Sequence, residues 1–394
     1  MKRNYKDCEA PPAEAMATPD MAGIAATNPH RPEHKRKKRG VVVHMLATGK
    51  PLRLNHDRSS AFFDMYETEV TTIADLIALD AFYLSGVVDK RKGASIPFST
   101  IHRIIEPLKK LESMIGLGDA KRQVLSIIVY FLQQFNKGGT QSGAPGTQST
   151  MLHTVVYGGP GVGKTKLINI LAEVYAGLGV LPTAKVTVAK RADMIGGFLG
   201  QTAIKTRKVI DGAKGGVLLL DEAYALGDKE QRDSYSRECI DTLNQALSEE
   251  KGDLVCIIAG YKNDLDERFF KSNPGLERRF PFRISIGDYT ATHLRDIFLQ
   301  IVSDAKWAID EDAAPLALFQ NNKESFRFNG GDMETLFTKT KFLHSLRVFG
   351  SGPDDKKRLT RADMETGLSV FLESCEDAIN AKKDFKELIS HIYM

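Results

Sequence analysis

Residues 158–165 read Gly158-Gly159-Pro160-Gly161-Val162-Gly163-Lys164-Thr165, the spacing G-x-x-x-x-G-K-T. A loop of this kind binds phosphate. Its glycines let backbone N–H groups turn inward and approach phosphate oxygens closely. Lys164 is placed to reach the β- and γ-phosphates of a nucleotide, and the Thr165 hydroxyl to bind Mg²⁺. The apolar run Val155-Val156-Tyr157 precedes the loop, and Leu167, Ile168, Leu171, Val174 and Tyr175 follow at helical spacing. That strand–loop–helix order adds the positive N-terminal end of a helix to the phosphate site. A second group supplies hydrolysis. Val217-Leu218-Leu219-Leu220 ends in Asp221-Glu222. Asp221 can hold Mg²⁺ through its water shell, and Glu222 can orient and deprotonate an attacking water.

These two groups need elements to position them. Strands are expected at about 152–157, 184–189, 216–221, 254–259 and 281–286. Helices are expected at about 164–177, 202–213, 229–249 and 292–304. The alternation predicts an α/β fold, a parallel sheet with helices on both faces. Sites in such sheets lie at the carboxyl ends of the strands. Both motifs follow strands, so they belong on one edge. Beyond about residue 289 the strands stop. Leu294, Ile297, Phe298 and Ile301 mark one helix, and Met333, Leu336 and Phe337 another. Met364, Leu368, Phe371 and Leu372 mark a third, opened by Thr360 with Asp363 three residues on. The expectation is a small all-α lid domain.

The chain has 394 residues, 42% of them hydrophobic and 26% charged, which suits two or three folded units. Its net charge is +4, and residues 1–40 hold nine bases against five acids, so the remainder is near neutral. Bulk charge therefore does not demand a nucleic-acid partner. Cys8, Cys239, Cys256 and Cys375 are scattered and form no Cys-x-x-Cys pair, which argues for a reducing compartment and against a zinc site. No run of 18 apolar residues is present, so no membrane span is expected, and no apolar signal core opens the chain.

Residues 1–40 are expected to be a disordered basic tail. The run Lys35-Arg36-Lys37-Lys38-Arg39 reads equally as a nuclear import signal and as a solvated charge run. The expected location is intracellular, cytoplasmic or nuclear. Residues 41–100 are expected to form a small helical unit, with Thr72-Ile73-Ala74-Asp75 as a capping box. Residues 101–135 carry two amphipathic patterns, the first with Ile104, Leu108, Leu111 and Ile115, the second with Val124, Ile127, Ile128, Phe131 and Leu132. Residues 136–150 are rich in Gly, Ser and Thr and read as a flexible loop.

The order of motifs resembles the AAA+ ATPases, specifically the branch of the CbbX-type rubisco activases and stage V sporulation protein K. It is especially similar to the members of that branch in large nucleocytoplasmic DNA viruses. The resemblance spans about residues 101–372. It rests on Met114-Ile115-Gly116-Leu117, the phosphate loop, Ile195-Gly196-Gly197-Phe198-Leu199-Gly200-Gln201-Thr202, Leu220-Asp221-Glu222-Ala223-Tyr224, Ile258-Ala259-Gly260-Tyr261-Lys262 and Arg278-Arg279-Phe280. It implies an ATPase domain over 101–288, a lid and C-terminal helices over 289–394, and ATP with Mg²⁺ as cofactors. Ile115 and Gly116 would border adenine. Tyr261 or Asn263 would be the first sensor of the γ-phosphate, and Asn263 is favoured because an amide both donates and accepts. Arg279, with Arg278 as the alternative, would reach a neighbouring subunit's nucleotide. Phe198 would face the pore of a ring. Relatives carry Asn-Ala-Arg before the second lid helix, whereas this chain has Asn329-Gly330-Gly331, which puts a glycine where a second-sensor arginine is usual. The implied assembly is a homo-oligomer, a hexamer, that remodels an unknown protein substrate. The rival expectation is a nucleic-acid motor of helicase, initiator or packaging type. Against it, the ATPase core shows no basic–aromatic patch.

Overall fold

A computed structural model of the chain describes residues 40–56, 63–66, 69–85, 97–133, 151–198, 200–227, 233–250, 252–350, 352 and 355–392. The basic tail with its run at 35–39, the loop at 136–150 and Leu199 lie outside the described residues.

The segment 41–100 differs from the expected helical unit. Three strands, β1 (Gly40–Met45), β2 (Pro51–His56) and β3 (Phe63–Tyr66), pair antiparallel in the order β1-β2-β3. A turn joins β1 to β2, with Leu46 N–H donating to the Lys50 carbonyl and Gly49 at φ +76°. The β-branched run Val41-Val42-Val43 is the signal for a strand that the capping box overshadowed. The helical part is α1 (Ile73–Leu84), whose Thr72 and Asp75 do form the capping box.

A short helix, α2 (Phe98–Arg103), precedes the two expected amphipathic helices, α3 (Ile105–Ser113) and α4 (Gly118–Leu132). Ile104 is a buried joint between the first two. Helix α3 stops at Ser113, and Gly116 and Leu117 adopt positive φ values of 70° and 61°. Ile115 therefore leaves the helical face on which its spacing placed it.

The core is a five-stranded parallel sheet. Its strands are β4 (Thr154–Tyr157), β5 (Val186–Ala189), β6 (Val217–Asp221), β7 (Val255–Gly260) and β8 (Phe282–Ser285), in the order β5-β6-β7-β4-β8. Burial explains why these strands read as continuous apolar runs. Val217 and Leu219 of β6 enter one core, and Leu218 and Leu220 the other. In β7, Val255 and Ile257 face the first core, while Cys256 and Ile258 face the second. A strand covered on both faces has no polar side to show. The covering helices are α5 (Lys164–Gly177), α6 (Arg191–Met194), α7 (Gln201–Ala213) and α8 (Ser234–Glu249). Between β7 and β8 lie α9 (Lys262–Asp264), which continues into a π-helical segment (Leu265–Phe270), and the short α10 (Pro274–Glu277).

The C-terminal region holds α11 (Ala291–Asp304), α12 (Leu316–Asn321), α13 (Gly330–Arg347) and α14 (Arg361–Ile392). One parallel pair of two-residue strands, β9 (Ala308–Ile309) and β10 (Arg358–Leu359), is added to the expected helices. Its interior is aromatic: Phe298 meets Phe319 and Phe337 at ring-centroid distances of 6.0 and 6.1 Å. Among the described residues no helix is long and apolar enough to cross a membrane.

Candidate nucleotide site

Sheet register brings the two motifs together. Tyr157, the last residue of β4, stands opposite Gly260 of β7, and Asp221 of β6 stands opposite Ala259. The phosphate loop and the acidic pair thus leave the same edge, two strand spacings or about 10 Å apart. Between them β7 delivers Gly260 and Tyr261. A cavity of about 490 Å³ opens there, reached by Lys164, Thr165, Asp221, Glu222, Tyr224 and Tyr261.

The loop geometry follows from its glycines. Helix α5 begins at Lys164, directly after Gly163 at φ +85°. At Gly161, with φ +68°, a Cβ would stand 1.9 Å from the Phe328 carbonyl oxygen. Only glycine fits where the loop presses on the start of the lid. Val162 is fully buried and anchors the loop in the core. Gly158, Gly159 and Val162 stand behind the cavity wall rather than on it, whereas Pro160, Gly161 and Gly163 line it.

Lys164 is half-buried, and its ammonium donates to the Gly158 carbonyl at 3.0 Å and the Gly159 carbonyl at 2.6 Å. Burial pushes its pKa down, while the charges of Asp221 and Glu222 oppose that shift. The two carboxylates are therefore close enough to act on Lys164. Glu222 adopts φ +52°. A left-handed conformation in a residue with a Cβ costs roughly 1–3 kcal/mol and is kept where surrounding structure enforces it. Here it turns the chain sharply after β6, so that Asp221 and Glu222 both reach the cavity.

Two tyrosines close the acidic side. The Tyr224 phenol is pushed up to about 12, by burial and then by the Glu222 carboxylate to which it hydrogen-bonds. Its ring lies 6.1 Å from that of Tyr261. The Tyr261 ring in turn lies 5.8 Å from the Lys164 ammonium.

On the other side stand Met114 and Ile115, together with Tyr289 from the linker between β8 and α11. This is an apolar wall of the sort a purine takes. Gly116 does not line the cavity, but it packs against the Tyr289 ring. The lid completes the site with Gln300, Asp304 and Glu334. None of these is cationic, and Gly331 lines the cavity at the position where relatives carry an arginine.

Not every candidate converges. Asn263 is exposed on α9 and does not line the cavity, while Tyr261 does. The favoured sensor is displaced because the chain turns into a helix directly after Tyr261. Arg278 and Arg279 also lie away from the cavity. They precede β8, whose first residue Phe282 pairs with Thr154 at the amino end of β4. The phosphate loop leaves the carboxyl end of that strand. Arg279 is half-buried and donates from Nε to the Ser248 hydroxyl at 2.8 Å. Arg278 is exposed, and its side chain has no partner among the described residues. Phe198 is 73% exposed between α6 and α7. The Thr202 hydroxyl accepts from Gly196 N–H at 3.1 Å and pins the base of that loop.

Met114, Tyr224 and Asn329 stand inside sequence motifs that assign them no role, and the structure places them at the site. Tyr289 carries no local sequence signal.

Comparison with known proteins adds the following. A family model described as the ATPase family associated with various cellular activities (AAA) matches residues 154–287. A cfxQ-like protein of Acanthamoeba polyphaga mimivirus is 39% identical over 280 residues, covering 70% of this chain and 67% of that protein. Stage V sporulation protein K of Bacillus subtilis is 32% identical over 214 residues, covering 54% of this chain and 65% of that protein. The chloroplastic ribulose bisphosphate carboxylase/oxygenase activase of Cyanidioschyzon merolae is 31% identical over 270 residues, covering 68% of this chain and 87% of that protein.

Proposed function

Because the chain belongs to the AAA ATPases, in the branch of the cfxQ-like proteins, the rubisco activases and stage V sporulation protein K, we propose that it is a Mg-ATP-dependent motor whose subunits form a hexameric ring and remodel a protein or protein assembly. One observation carries this: Lys164 and Thr165 share a cavity with Asp221 and Glu222, on one edge of a parallel sheet.

Each residue then has a role. Backbone N–H groups of the loop from Gly161 to Lys164 would cradle the phosphates, and the Lys164 ammonium would pair with the β- and γ-phosphates. The adenine lies against Met114, Ile115 and Tyr289. Thr165 and Asp221 are oxygen donors on one cavity, the set that Mg²⁺ prefers. Bound there, the ion would neutralise charge on the phosphates. Glu222 accepts the proton of the attacking water. Tyr261 replaces Asn263 as first sensor, because it reaches the cavity beside Lys164.

The trans arginine supports the ring. Phe282 pairs with the amino end of β4, about one strand length, roughly 13 Å, from the phosphate loop, and Arg278 precedes Phe282 off the cavity. A neighbouring subunit's nucleotide is the partner it can serve. Phe198 is exposed on a glycine-flanked loop, as a side chain that grips an extended chain in the pore would be.

The test is a pair of variants. Lys164→Ala should lose nucleotide binding. Glu222→Gln should keep binding, lose turnover and hold its client, so proteins co-purifying with it identify the substrate. A Glu222→Gln protein that hydrolyses ATP at the normal rate would remove Glu222 as the base. Retention of DNA or RNA, with no protein client, would favour a nucleic-acid motor.

A further inference from the structure

The arginine that would join lid to nucleotide is missing, yet the lid is tied to the phosphate loop by other means. Tyr289 lies in the linker between β8 and α11 and is buried. Its hydroxyl donates to the Val162 carbonyl at 2.9 Å. Its ring packs against Gly116, where a Cβ would stand 3.1 Å from Cε1. Its backbone N–H donates to the Asn329 side-chain oxygen at 3.3 Å. Asn329 is buried and opens the lid helix α13. The next residue, Gly330, donates its N–H to the Gly161 carbonyl at 3.1 Å.

Two successive peptide units of the phosphate loop are therefore held from outside. In a trans peptide the C=O and N–H point in opposite directions. Fixing the Gly161 carbonyl aims the Val162 N–H away from the lid. Fixing the Val162 carbonyl aims the Gly163 N–H away from Tyr289. Both donors are thereby fixed in a loop of the kind whose N–H groups bind phosphate oxygens. Asn329 is held in an unusual backbone state to make this contact. Its φ of 50° and ψ of −116°, with Gly331 N–H donating to the Phe328 carbonyl at 3.0 Å, form a type II′ turn that normally takes glycine.

We propose that Tyr289 and Asn329 are positioning residues that couple phosphate-loop geometry to lid orientation, in place of an arginine at position 331. This rests on the cavity being the ATP site. When the lid swings about the linker at 286–290, it carries both restraints with it. The aimed N–H groups and the lid position then bias each other reciprocally, as linkage requires.

The full-length chain is tested with ATPγS and Mg²⁺, by nucleotide affinity and by hydrogen exchange of amides in 291–304 and 330–347. Nucleotide should protect those amides in the unchanged protein. Tyr289→Phe removes one hydroxyl and should weaken nucleotide binding about tenfold. It should also lose at least half of the lid protection at saturating nucleotide, with the melting temperature of the free protein within about 3 °C. Asn329→Gly relieves the turn, so a merely structural role makes it neutral or stabilising, whereas coupling makes it respond like Tyr289→Phe. Normal affinity and normal lid protection in both Tyr289→Phe and Asn329→Gly, beside a Lys164→Ala control that has lost binding, would overturn the coupling alone. A Lys164→Ala protein that still binds nucleotide would remove the site itself, and the coupling with it.

Discussion

Arg279 donates its Nε–H to the Ser248 hydroxyl at 2.8 Å, and so is engaged within its own chain, while its neighbour Arg278 projects from the surface without a partner among the described residues. Ser248 sits on α8, which packs under the sheet. A guanidinium held there steadies the turn before β8 and is poorly free to cross to another subunit. The exposed arginine is the better candidate for a neighbour's nucleotide.

Arg278→Ala should therefore retain ATP binding and lose about 10³-fold in turnover. Arg279→Ala should cost about 1 kcal/mol of stability through the lost hydrogen bond and leave turnover within a few-fold. Mixing Arg278→Ala with Lys164→Ala subunits should restore activity at interfaces where an intact loop meets an intact arginine. The measurement is steady-state ATPase on single and mixed preparations. The reverse pattern, with Arg279→Ala inactive and Arg278→Ala normal, would return the role to Arg279.

The first sensor is decided between two residues that stand two apart. Tyr261→Phe should lower kcat about tenfold, the worth of one hydrogen bond to the reacting phosphate. Asn263→Ala should leave kcat within twofold, since its side chain is exposed and off the cavity. Single-turnover kinetics on both variants separates a chemical effect from slow product release. An inactive Asn263→Ala beside a normal Tyr261→Phe would restore the amide as sensor.

Phe198→Ala should leave basal ATPase within a few-fold, since truncating a side chain that is 73% exposed seldom shifts stability by more than about 0.5 kcal/mol. Remodelling of the client trapped by Glu222→Gln should nevertheless fail. Both activities must be read on the same preparation. Undiminished remodelling would exclude threading by this loop.

His153 gives the fold a pH dependence. Burial pushes its imidazole down to about 4, and the Arg279 charge adds to that shift. Its Nδ1 accepts from the Cys256 N–H at 3.0 Å, a bond that protonation of Nδ1 destroys. An unfolded histidine titrates near 6.5, so between about 6.5 and 4 the unfolded chain binds the extra proton. Stability from this group is full above about pH 6.5 and falls through that window by roughly 3 kcal/mol. Urea unfolding at pH 7 and pH 5 should show the loss, and His153→Gln should flatten it. Equal slopes for the two proteins would assign the dependence to other groups.

Much of this protein was legible along the chain because the relevant physics is local. The phosphate loop needs eight consecutive residues, and a strand buried on both faces shows as an unbroken apolar run. Five expected strands accordingly match β4 to β8 to within two residues at each end. Capping boxes at Thr72 and Thr360 are three-residue relations and are equally readable. What only the tertiary structure decided involves residues far apart in sequence. Tyr289 meets Val162 across 127 positions, and no spacing rule links them. Ile115 reached the cavity because α3 ended early, at backbone dihedrals that amphipathic spacing does not encode. Tyr261 lines the cavity where Asn263 does not, and Arg278 is exposed where Arg279 is held by Ser248. That is fixed by sheet register and by packing against α8. Composition and motif set what chemistry this chain can do, and three-dimensional packing set which of several chemically equivalent residues is in place to do it.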